Sequence, residues 1–127
     1  MATIKSFTSL EQSKVLAKIL PIESADMRYS PLGDNMHPWI WTDTFIEKNA
    51  VPCWSLAALL DVLPNNENIS TNLSKGGYRI STLEYTNSWF IDYEDETDGL
   101  NNCVTSADNP IDACYEMILK LHEQKIL

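Results

Sequence analysis

The chain has 127 residues, 44% of them hydrophobic and 21% charged, and its 18 acidic against 9 basic side chains give a formal net charge of −9. That length suits a single domain, 1–127, with its own core and no need of staples. The charge repels phosphate backbones and anionic headgroups, so no nucleic acid and no membrane is expected as a partner; it suits a basic protein partner, or merely solubility.

The first residues, MATIKSFTSLEQSK, lack the apolar core of a signal peptide. No apolar run approaches the ~20 residues that span a bilayer. Three cysteines (Cys53, Cys103 and Cys114) make an odd count without a CxxC pair, which points to free thiols in a reducing, cytoplasmic setting.

The first element is an amphipathic helix. Thr8 with Glu11 three residues on reads as a capping box, Leu10, Val15, Leu16, Ile19 and Leu20 keep helical spacing, and Pro21 closes the element. Two aromatic-rich runs follow, Met27-Arg28-Tyr29 and His37-Pro38-Trp39-Ile40-Trp41. The turn residues Ser30-Pro31-Leu32-Gly33-Asp34-Asn35 lie between them. This predicts a loose hairpin whose second run, carrying Pro38, sits at a sheet edge or at the start of a strand.

PCWSLAALLDVLP, residues 52–64, predicts the central helix. Pro52 suits a first helical turn, and between Trp54 and Leu63 only Ser55 and Asp61 are polar, so the helix belongs in the core. The polar stretch NNENISTNLSKGG after Pro64 reads as a loop without chemistry. YRISTLEYTNSWFIDYED, residues 78–95, predicts a β-hairpin turning at Thr86-Asn87. Tyr85 would then face Ser88, Leu83 would face Phe90 and Arg79 would face Glu94, with Tyr78, Ile80, Trp89, Ile91 and Tyr93 on the core side. The last helix is capped by Asn109 with Pro110 at its first position, and its stripe is Ile111, Cys114, Met117, Ile118 and Leu121. The order α-β-β-α-β-β-α predicts an α+β domain, an antiparallel sheet of two hairpins packed by three helices.

Candidate sites are few. Cys53, Cys103, Cys114, His37 and His122 lie at none of the short spacings of structural zinc sites, so no metal is expected there. The run DYEDETDG puts Glu94, Glu96, Asp98 and Gly99 at positions 1, 3, 5 and 6 of a calcium loop, but Thr105 stands at position 12, where a bidentate glutamate is needed. Asp92, Glu94, Asp95, Glu96 and Asp98 concentrate five of the 18 acids in seven residues and could engage a basic protein surface. Trp39 and Trp41, with His37, fall on one face of a strand. Exposed, they could stack on a ligand or a partner, but packing favours their burial. GxSxG, HExxH and GxxxxGK[ST] are all missing, so no catalytic residue and no cofactor is predicted.

Three blocks, FTSLEQSKVLAKILPIESADM, PCWSLAALLDVLP and SADNPIDACYEMILKLHEQKIL, resemble a family of small uncharacterised proteins encoded by gut Bacteroides-type bacteria, their prophages and other mobile elements. The resemblance covers near half of the chain. It implies a cytoplasmic accessory protein related to phage or mobile elements rather than a housekeeping enzyme, and it assigns no functional residue. The expected function is non-enzymatic binding of a protein partner through an acidic surface. The alternative is a binder of a small, nucleotide-like molecule beside Trp39 and Trp41, with Arg28, Lys75 or Arg79 supplying positive charge.

Overall fold

The computed structural model describes residues 5–41, 47–63, 79–82, 88–93, 103–125 and 127. They form an α+β protein in the order α1 (Leu10–Leu16), a 3₁₀ turn (Ile22–Ser24), β1 (Met27–Tyr29), β2 (Trp39–Ile40), β3 (Val51–Cys53), α2 (Leu56–Val62), β4 (Arg79–Thr82), β5 (Trp89–Tyr93), β6 (Cys103–Ala107) and α3 (Pro110–Glu123). Two compact units divide the chain, one being Lys5–Val62 and the other including Leu63–Leu127. Each holds a three-stranded antiparallel sheet, ordered β2-β1-β3 in the first and β4-β5-β6 in the second. The expected pair of hairpins in one sheet is thus corrected to two sheets, each with a third strand, β3 or β6, just before a helix.

In the first unit α1 is capped one residue later than the sequence suggests. Ser9 Oγ accepts from Gln12 N at 3.2 Å, and Gln12 Oε1 accepts from Ser9 N at 3.0 Å, a capping box one step beyond Thr8 and Glu11. Thr8 is fully buried and serves another purpose, described below. The helix ends at Leu16 rather than at Pro21, because Lys18 N and Ile19 N bond three residues back, to Val15 and Leu16, and tighten the turn. Leu16 and Leu20 are buried as expected, but Val15 is exposed.

The predicted hairpin of β1 and β2 is present, with Met27 facing Ile40 and Arg28 facing Trp39. Trp41 N donates to Asp26 O at 3.1 Å. Asp26/Trp41 and Arg28/Trp39 are therefore the hydrogen-bonded pairs, and the N–H and C=O of Ile40 turn away from β1. As the sequence implies, Pro38 lies at a sheet edge. The same alternation explains Pro52, which faces Arg28 in β3 rather than opening a helix. Arg28 bonds toward β2, so the missing N–H of Pro52 falls on the outer edge of β3 and costs the ladder nothing.

Helix α2 starts at Leu56, not at Trp54. Ser55 sets that start: its Oγ accepts from Ala58 N at 3.2 Å, as an N-cap does. Asp26 fixes Ser55 in turn, accepting from Ser55 N at 2.9 Å through Oδ1 and from the Ser55 hydroxyl through Oδ2. Within α2, Leu59 is fully buried whereas Leu60 is half-buried. Leu59→Ala is accordingly expected to lower stability by about 2–5 kcal/mol and Leu60→Ala by clearly less. Equal losses at the two positions in denaturant titrations would contradict this placement.

In the second unit β4 and β5 pair two residues out of the predicted register, with Arg79 opposite Asp92 and Ser81 opposite Phe90. A slip of two keeps every side chain on its face, because the side-chain period is two. Ile91, on the expected core face, is fully buried. The predicted turn at Thr86-Asn87, Tyr78, Glu94 and the loop 65–77 lie outside the described residues. Helix α3 packs on β5 and β6, and its predicted stripe (Ile111, Cys114, Met117, Ile118 and Leu121) is fully buried. Asn109 caps it, accepting from Asp112 N at 2.8 Å, and Pro110 follows.

Candidate functional site

The groups with chemistry in the first unit gather on its sheet. On the outer face, Arg28 forms an ion pair with Glu47, Nε to Oε1 at 2.9 Å, with only 8% and 10% of the two side chains exposed. Ser30 Oγ donates to Glu47 Oε2 at 2.8 Å and accepts from Leu32 N at 3.0 Å. Arg28 Nη1 donates to Ile40 O at 2.6 Å, and the guanidinium carbon stands 5.3 Å from the centroid of the Trp39 ring. Each oxygen of the carboxylate thus has its own donor, and the arginine carries a cation–π contact besides. Charges this deep are tolerable only when paired and hydrogen-bonded, which this network supplies.

The connection from β1 to β2 is tied down by its own backbone. Gly33 N donates to Ser30 O at 3.0 Å, and Asp34 Oδ1 accepts from Met36 N and His37 N, both at 2.8 Å. His37 Nδ1 lies 2.9 Å from Asp34 Oδ2, and these bonds to His37 and Met36 hold the Asp34 carboxyl below its ordinary range. Gly33 packs so closely on Trp39 that a Cβ there would meet the indole at 3.3 Å. This ordered segment nevertheless presents apolar side chains to solvent: Leu32 is 82% exposed, Met36 72%, Ile40 75% and Trp39 40%.

Trp39 is therefore exposed where packing predicted burial, and Trp41 is half-buried. The reason is position. β2 is an edge strand of only two residues. Of the predicted acidic strip only Asp92 is described, half-buried on β5. Glu94, Asp95, Glu96 and Asp98 lie outside the described residues. The sequence reading missed Glu47, Leu32, Met36 and Ile40. The signals were there in part: an arginine inside the apolar run Met27-Arg28-Tyr29, and two large apolar residues inside a turn-rich loop.

A second polar cluster is buried around Thr8. Its carbonyl accepts from Tyr29 Oη at 2.7 Å and from Cys53 Sγ at 3.4 Å. Its hydroxyl accepts from Trp54 N at 3.1 Å and shares a hydrogen bond of 2.8 Å with Ser13 Oγ. Thr8 N donates to Trp54 O at 2.9 Å, while Leu56 N reaches Ser6 O at 3.2 Å. Together these bonds stitch the segment before α1 to the end of β3. Burial pushes the thiols of Cys53 and Cys114 upward, the latter from 9.0 to about 12, so both are held protonated.

Two consequences follow for the thiols. In a Cys103→Ser background, native protein is expected to resist thiol reagents at neutral pH until it unfolds. Labelling at the rate of a free thiol would refute the burial. The sign of the pH effect is also fixed. The native state holds the Cys114 proton more tightly than the unfolded chain does, so this contribution to stability is complete below pH 9 and is lost as pH rises toward 12.

Among the described residues no group of three histidine, cysteine, aspartate or glutamate side chains could hold a metal ion, and no helix is long and apolar enough to cross a membrane. Comparison of the chain with protein-family models, with curated proteins and with solved structures gives no match.

Proposed function

We propose that this chain is a non-enzymatic cytoplasmic accessory protein that works by binding a protein partner, and that the segment from Leu32 to Ile40 makes the contact. The carrying observation is the exposure of four large apolar side chains within nine residues, on a backbone fixed by hydrogen bonds and on an indole braced by Arg28 and Gly33. Ordered aromatic and apolar side chains lose little freedom on binding and are the usual anchors of protein interfaces. The net charge of −9 adds long-range attraction for a basic partner, and the strip of Asp92, Glu94, Asp95, Glu96 and Asp98 would be its densest source. A connection with phage or mobile elements rests on the resemblance of the three sequence blocks alone.

The small-molecule reading has less support. It needs a cation beside Trp39 for an anionic, nucleotide-like ligand, and the one that stands over its ring, Arg28, is spent on Glu47 and on the Ile40 carbonyl. Affinity capture from host lysate, read for proteins and small molecules, tests the proposal with four baits. Wild type is expected to retain a salt-sensitive protein partner, a Trp39→Ala/Ile40→Ser variant to lose it, and Val104→Ser on the second unit to keep it. Unchanged capture by the Trp39/Ile40 variant would remove this segment from the interface. Unchanged capture after charge reversal at Asp95, Glu96 and Asp98 would end the role of the acidic strip.

A further inference from the structure

We propose that Arg28 is an edge guard, keeping β2 from pairing with the β2 of a second copy of this chain. The strand order leaves β2 with one side unpaired by β1 or β3, and the alternation of hydrogen bonds turns the N–H and C=O of Ile40 to that side. Two residues earlier, Pro38 has no N–H to offer. Ile40 is thus the position on which edge pairing must centre, and its side chain, 75% exposed, would be buried by it.

Association of two identical edges is two-fold symmetric, so Ile40 of one copy would face Ile40 of the other. Both hydrogen bonds of that pair end on the Ile40 carbonyl, one in each direction. In the structure that oxygen receives Nη1 of Arg28 at 2.6 Å. The guanidinium is large and charged, and Glu47 and the Trp39 ring fix it in place. By the symmetry the Arg28 of each copy obstructs, by its bulk and charge, the bond that would end on its own Ile40 carbonyl, a case of a cation protecting an open sheet edge.

The test is the mass of the full chain against concentration, by sedimentation or light scattering. Arg28→Met/Glu47→Met removes the guard without leaving an unpaired charge, an exchange that folded proteins commonly tolerate. This variant is expected to double in mass over a concentration range in which the wild-type mass stays constant. Adding Ile40→Pro, which deletes the outward N–H and spares the ladder to β1, is expected to abolish the doubling. A folded double variant whose mass tracks wild type throughout would overturn the proposal, as would a doubling that survives Ile40→Pro. Should the methionine pair not fold, Arg28→Lys reads the same outcome. It keeps a cation for Glu47 and has no second arm for the carbonyl, and a wild-type mass profile there would equally overturn the guard.

Discussion

Arg28→Ala is expected to destabilise the protein by about 3–5 kcal/mol, the usual cost of orphaning one member of a buried ion pair. The loss is mostly that of Glu47, whose carboxylate, only 10% exposed beside Arg28, would lose its main donor. Denaturant titrations measure the loss. A change in Trp39 emission should accompany the substitution, since the cation over its ring is removed. A cost under about 1 kcal/mol would place the pair among exposed ion pairs and contradict its burial.

Trp54→Ala should cost as much, about 3–5 kcal/mol, the range for deleting a fully buried aromatic side chain. Here the source is different. The indole fills space, and its Nε1 donates to Ser24 Oγ at 2.9 Å while that hydroxyl donates on to Pro21 O at 2.6 Å. Trp54→Phe separates the contributions, since it keeps most of the apolar contact and removes the donor. Its expected cost is about 1–2 kcal/mol, the scale of a buried hydrogen bond with its unsatisfied partner. If phenylalanine cost as much as alanine, the hydrogen bond and not the packing would dominate the site.

How far the sequence carried the structure depended on whether local or distant contacts decided each element. The start and the buried stripe of helix α3 were legible to the residue: Asn109, Pro110 and five apolar side chains define them without help from the rest of the chain. Helix α1 was legible as a helix, but its cap was not. Thr8 and Ser9 both suit the role, and Thr8 is diverted by Cys53, Trp54 and Tyr29. In PCW the proline pointed to a helix start because nothing local tells an outward N position on an edge strand from a first helical turn. Only the pairing of Arg28 with Pro52 decides it. β3 and β6, three and five residues long, carry too little periodicity to stand out. The candidate site was half visible. The tryptophans announced themselves, but Glu47 lies 19 positions from Arg28 and no sequence spacing links them.

The stitch at Thr8 also fixes the timetable of synthesis. Thr8 and Trp54 are 46 positions apart, so the anchors of the N-terminal segment are made long after the segment itself. Until residues 51–56 have left the ribosome, α1 has only its capping box to hold it, and seven residues are too few for a stable helix in water. The first unit therefore assembles in one late event rather than growing from its N-terminus.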